Sequence, residues 1–276
     1  MGPLLRIPLR ASVEVDQDNI EKTRQLAADG YGFLILGTHF SWREGFDFIV
    51  QTQRYLPISD KPIVMPISLH QYERQKGLLD HFSAIAGITI SPVGNEDAVK
   101  YGYELGAGLP EYARNTREAL LAGGAAGIAI QTGRRNELEL GQVKKQPLRF
   151  MLSATRTKPS SSVALLFLPM TPFEENVDYK AIYEKKNLFK KYDVRFGPIF
   201  TIAEMYQLLK GINTSLRSHP IALENADRPT ITEITIDELA LVILSIAVDP
   251  KYNHVPKELG QEFLIEYFFN PENRYQ

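Results

Sequence analysis

The chain has 276 residues, 44% of them hydrophobic, 10% aromatic and 23% charged, and its 31 Lys+Arg nearly balance 33 Asp+Glu for a formal net charge of −2. These values exclude an intrinsically disordered chain, and the absence of cysteine excludes a disulfide scaffold and all thiol chemistry and fits a reducing, cytoplasmic setting. The charge balance lacks the basic footprint of a nucleic-acid binder, and no apolar run reaches the ~20 residues needed to cross a bilayer.

Residues 1–17 read as an N-terminal arm. Pro3 and Pro8 deny it the helical core of a signal peptide, while Leu4, Leu5, Ile7 and Leu9 interleave with Arg6 and Arg10 and leave room for peripheral contact with the inner face of a membrane. The spacing of Ile20, Leu26 and Ala27 predicts a helix over 18–28 that stops at Asp29-Gly30. Residues 32–37, Gly-Phe-Leu-Ile-Leu-Gly, run without alternation, as a strand buried on both faces should. A helix over 42–55, a strand over 62–68, a helix over 72–86 and a strand over 88–93 follow. Pro66 and Pro92 argue for sheet edges or strand ends. His70 and His81 belong to this amphipathic stretch, with surface or packing roles.

Pro110 suits the first turn of a helix reaching residue 121, and Gly123-Gly124 ends it. Residues 127–132 then form a strand that runs into the polar turn Gly133-Arg134-Arg135-Asn136. Residues 162–170 are the most apolar strand and 193–199 a weaker one. Lysines 180, 185, 186, 190 and 191 make 179–191 a basic insertion, either a solvated helix face or a contact for anionic lipid or phosphopantetheine. Helices over 202–210 and 236–248 close the chain. This alternation predicts one α/β domain over 1–276, with a mostly parallel central sheet and helices on both faces.

Several chemistries lack their residues. No G-x-S-x-G elbow follows a strand, no phosphate-binding glycine loop occurs, and the five histidines never pair at i, i+4 as zinc ligands do. What remains is the carboxyl end of the 32–37 strand, because strand ends of this kind face the ligand crevice in open α/β sheets. His39 stands there. If Ser41 caps the next helix, Glu44 falls in its first turn and can accept the Nδ1 hydrogen of His39, leaving Nε2 as a general base. The same Ser41-x-x-Glu44 also spells a capping box, in which Glu44 bonds the cap's backbone and His39 is a turn residue. Asp47, three residues beyond Glu44, is a second candidate partner or a substrate contact.

The block Thr38-His39-Phe40-Ser41-x-x-Glu44 resembles the H-x-x-x-x-[DE] signature of the glycerolipid acyltransferases, which esterify glycerol 3-phosphate or lysophosphatidic acid from acyl-CoA or acyl carrier protein. Further blocks follow in order over roughly residues 20–250. Ile130-Gln-Thr132-Gly133-Arg134-Arg135-Asn is similar to the family's F-P-E-G-T-R-S, Leu168-Pro169-Met to a later buried strand, and Val194-Arg-Phe-Gly197-Pro198-Ile to its V-x-x-G-x-P-I strand.

The resemblance implies direct acyl transfer to a hydroxyl of a glycerol phosphate or lysophospholipid-type acceptor. His39 acts as base, Glu44 orients it, and the acyl thioester is a co-substrate, with no metal or other cofactor. Substrate contacts fall to Arg135, Arg134, Gly133 and Thr132 in the second block and to Ser41 and Asp47 around the first. The chain departs from the family at Thr38 for asparagine, Glu44 for the commoner aspartate, Thr132 for glutamate and Val93 for a basic residue. These departures leave open a different hydroxylated acceptor, a noncatalytic lipid-binding or scaffold protein that keeps the fold, or a thioesterase that passes the acyl group to water.

Overall fold

The computed structural model describes residues 12–37, 53–58, 60–129, 163–168, 170–172, 192–201 and 204. In chain order the elements are β1 (Ser12–Val15), α1 (Gln17–Ala28), β2 (Gly32–Gly37), β3 (Ile63–Ser68), α2 (Leu69–Ala86), β4 (Thr89–Val93), α3 (Glu96–Val99), α4 (Leu109–Leu121), β5 (Ala125–Ala129), β6 (Val163–Leu168), β7 (Met170–Pro172), β8 (Tyr192–Phe196) and β9 (Ile199–Thr201). Six strands form the main sheet in the order β4-β3-β5-β2-β6-β9, parallel throughout except for β9. A second sheet has the order β1-β8-β7. The chain is therefore an α/β protein with a mostly parallel six-stranded sheet. Among the described residues no helix is long and apolar enough to cross a membrane.

β2 is the centre of the design. It lies between β5 and β6, and Phe33, Leu34 and Ile35 are fully buried, so the absence of polar alternation follows from having protein on both faces. Phe33 and Ile35 join Ile20, Leu26, Ile63, Ala125, Leu166 and Phe196 in the core. Gly32 opens the strand where it passes the backbone carbonyl of Leu120 at the end of α4, and a Cβ there would overlap that carbonyl. Gly32→Ala should cost about 1–3 kcal/mol, since backbone must move to relieve the overlap. Thermal unfolding should register this as a Tm several degrees lower, and an unchanged Tm would mean that α4 shifts freely.

Several expectations need correction. The N-terminal arm does not extend to residue 17: Ser12–Val15 pairs in parallel with β8, and Asp16 caps α1 by accepting the Asp18 N–H at 2.9 Å. The 62–68 strand is interior rather than an edge. Pro66 is tolerated because the β3–β5 ladder covers only Ile63 and Val64, and Pro92 sits in β4, which is an edge. The helix expected over 72–86 begins at Leu69, bends at Gln75 (φ −126°, ψ 19°), and ends at Gly87, whose φ of +65° is the left-handed cap conformation. The strand expected over 127–132 already begins at Ala125. The strands expected over 162–170 and 193–199 each divide between the two sheets, between Leu168 and Met170 and at Gly197-Pro198.

Lys22 of α1 donates to the Ile199 carbonyl at 2.9 Å and meets Glu204 at 2.5 Å, tying the helix to β9. Glu204 also accepts from the Thr201 N–H at 2.8 Å and returns its own N–H to the Thr201 hydroxyl, which is a capping box. Burial disfavours the charged form of Glu204, but Lys22 and the Thr201 donors outweigh it and hold the carboxyl below its usual range. The helix expected over 42–55 is described only at 53–55, where it is helical. The 179–191 insertion and the 236–248 helix lie outside the described residues, as does the 202–210 helix apart from Glu204.

Candidate functional site at the carboxyl edge of the sheet

The five parallel strands of the main sheet end on one edge, and their registers fix which ends are neighbours. Gly37, the last residue of β2, pairs with Ala129 at the end of β5 on one side and with Leu168 at the end of β6 on the other. Adjacent strands lie about 5 Å apart. The strand ends that precede Thr38 and Ile130 in the chain are therefore neighbours. His39, Ser41, Glu44 and Asp47 follow the first of these ends in the sequence, and Thr132, Gly133, Arg134 and Arg135 the second. All eight lie outside the described residues.

Farther along the same edge, Ser68 at the end of β3 pairs with Val93 at the end of β4. A polar cluster that the sequence did not announce is assembled here. Ser68 Oγ donates to Asn95 Oδ1 at 2.6 Å and lies 2.7 Å from His70 Nδ1. Asn95 Oδ1 also accepts the Ala98 N–H at 3.0 Å, capping α3, which identifies that atom as the amide oxygen. An amide oxygen cannot donate, so the single hydroxyl hydrogen of Ser68 goes to Asn95, and Ser68 Oγ accepts from His70 Nδ1–H. In this arrangement His70 does not accept the Ser68 hydroxyl hydrogen. The same arrangement explains why Ser68, although it is the N-cap residue of α2, makes no side-chain capping bond.

His70 is thus not merely a packing residue. Its ring is half-buried, stacks on Tyr101 with centroids 4.5 Å apart and planes 16° from parallel, and has no partner for Nε2 among the described residues. Tyr101 is 67% exposed. The loop carrying it is pinned to the end of β4 by Gly94 N–H to the Ala107 carbonyl at 2.8 Å and Gly106 N–H to the Gly94 carbonyl at 2.7 Å. His81 is exposed on α2, as expected of a surface residue. Nearby on α4, burial pushes the Tyr112 phenol well above its usual range against the opposing hydrogen bond of Thr116, so it stays neutral and serves packing.

Among the described residues no group of three or more His, Asp or Glu side chains could hold a metal ion. The signal that could have located the second cluster was positional: Ser68 and Asn95 each stand at or just past the carboxyl end of a strand that precedes a helix. No family model matches this chain, and no curated protein matches it in sequence.

Proposed function

We propose that the protein is an O-acyltransferase of the glycerolipid acyltransferase type, with that family's arrangement of helices on both faces of the sheet. It moves a fatty acyl group from acyl-CoA or acyl carrier protein to a hydroxyl of a glycerol phosphate or lysophospholipid-type acceptor. The observation that carries this reading is the pairing of Gly37 with Ala129, because the two sequence blocks that resemble the family's signatures follow these neighbouring strand ends. Two residues of chain reach at most about 7 Å, so His39 cannot stray far from the edge on which β5 also ends.

In the reaction, His39 Nε2 takes the proton of the acceptor hydroxyl as its oxygen attacks the thioester carbonyl. Glu44 holds the tautomer and stabilises the imidazolium that forms. Collapse of the tetrahedral intermediate breaks the carbon–sulfur bond, and the imidazolium returns its proton to the departing thiolate. The products are an ester and a free thiol. Arg135, with Arg134 beside it, grips the acceptor phosphate, since guanidinium matches phosphate geometry and stays charged. The reaction is placed in the cytoplasm or peripherally on the inner face of a membrane, where both substrates are available.

Arg135→Ala should raise KM for a phosphorylated acceptor roughly 10- to 100-fold and leave KM for the acyl donor unchanged, the loss expected for a charged hydrogen-bonding pair. Steady-state kinetics with each substrate varied in turn checks this. An unchanged acceptor KM, with the same result in the Arg134→Ala, Arg135→Ala double variant, would remove the phosphate from the proposal.

A further inference from the structure

Among the described residues the exposed large apolar side chains are Leu78, Ile85, Val99, Tyr101 and Leu105. The last three fall at the end of α3 and in the loop that follows it, where Val99 is 46% and Leu105 65% exposed. This loop is held by its own hydrogen bonds. The Tyr101 and Tyr103 N–H groups donate to the Ala98 carbonyl at 3.0 and 3.2 Å, and Leu109 N–H donates to the Gly106 carbonyl at 2.9 Å. Left-handed backbone at Gly102 (φ +85°) and Gly106 (φ +82°) lets the chain turn between these ties. Its attachments are Gly94, just past β4, and the His70 ring, just past β3, so the loop stands at the carboxyl edge of the sheet. Single exposed apolar residues are ordinary, but three on one short, fixed loop mark a contact surface.

Area decides between occupants. Even the five side chains together expose only a few hundred Å², below the roughly 800 Å² per partner that a stable protein interface buries. A bilayer sets no such threshold, because each apolar side chain that enters the headgroup boundary contributes by its own buried area. Tyr101 suits that boundary, with an apolar ring and a polar hydroxyl. Charge sets the kind of lipid. Lys100, the only cation over residues 94–108, is tied to Asp97 at 2.8 Å, while Glu96 and Glu104 are acidic, so the loop gains nothing from an anionic headgroup.

We propose that the 99–105 loop inserts Val99, Tyr101 and Leu105 into the interface of a lipid bilayer, by a hydrophobic contact that is indifferent to headgroup charge. The proposal goes beyond the acyl-transfer reading and stands on exposure and loop geometry alone.

The chain has no cysteine, so Leu105→Cys and Lys61→Cys each create one labelling site in the full chain. Lys61 precedes β3 and marks the opposite edge of the sheet. With a polarity-sensitive fluorophore, the Leu105→Cys label should shift to the blue on phosphatidylcholine vesicles and the Lys61→Cys label should not. In high salt, which screens contacts from Arg6, Arg10 and the lysines of 179–191, the shift should be equal on phosphatidylcholine and on phosphatidylcholine mixed with phosphatidylglycerol. The Tyr101→Ser, Leu105→Ser double variant should bind phosphatidylcholine vesicles at least roughly 10-fold more weakly by co-sedimentation, and Leu78→Ser, Ile85→Ser should bind as wild type.

No shift at Leu105→Cys, an equal shift at Lys61→Cys, or an equal loss of binding in the Leu78→Ser, Ile85→Ser variant would overturn the proposal. So would a dimer in sedimentation velocity that the Tyr101→Ser, Leu105→Ser variant splits, since the loop would then meet a second copy of the chain. No acyl substrate enters these measurements, so failure of acyl transfer leaves them standing, and their failure leaves transfer to a dissolved acceptor untouched.

Discussion

His39→Ala should lower acyl transfer at least about 100-fold while the far-ultraviolet circular dichroism and the unfolding midpoint stay at wild-type values. A general base typically contributes 10²–10⁴-fold, and a residue two positions past a strand end carries little of the core. The dyad partners should separate in the same assay. Glu44→Gln should lose less than His39→Ala, because an amide oxygen can still accept from Nδ1 but cannot balance the imidazolium charge. Asp47→Asn should lose less again. A larger loss at Asp47 than at Glu44 would transfer the orienting role to Asp47, and a His39→Ala protein that retained more than about a hundredth of wild-type rate would remove the base.

The largest effect on stability should come from Phe33→Ala. The ring is fully buried on the central strand and belongs to the same cluster as Ala164, Leu166 and Phe196, contributed by β6 and β8. Truncation removes the transfer free energy of the ring and leaves a cavity, together about 3–5 kcal/mol. Against a total stability of roughly 5–15 kcal/mol this is a large fraction, and urea titration should show a much lower midpoint with little change in slope. A loss below about 1 kcal/mol would mean that the core collapses around the gap, which close packing on both faces of β2 opposes.

β2 was legible in the sequence to the residue because burial on both faces leaves an unbroken apolar signature, α1 was legible from its apolar spacing and its stop at Asp29-Gly30, and α4 from Pro110 in its first turn and Gly123-Gly124 after its end. β5 was placed two residues late, since Ala125 and Ala126 have little strand preference of their own and are held there by pairing with β2 and β3. The division of two apparent strands between sheets was hidden, because hydrophobic pattern reports burial and not which sheet does the burying. Pro66 misled for a related reason: its position depends on where the β5 ladder stops, a fact of pairing rather than of local sequence.

The candidate site divides in the same way. His39 and Glu44 form a local motif after a readable strand and lie outside the described residues, as does Arg135; what the register fixes is that the strand ends before these two blocks, Gly37 and Ala129, are neighbours. The Ser68, His70 and Asn95 cluster has no local signature. Asn95 is 27 residues from Ser68 and reaches it through the pairing of β3 with β4.

The account turns on whether a hydroxyl is needed to discharge the thioester. Purified protein incubated with labelled palmitoyl-CoA or palmitoyl-acyl carrier protein, with and without sn-glycerol 3-phosphate, measures this through free thiol and labelled ester together. The predicted result is ester and thiol in equal amounts, only when the alcohol is present, and neither in the His39→Ala protein. Thiol released at the same rate without the alcohol would instead identify a thioesterase, and no release from either donor would contradict catalysis at this site.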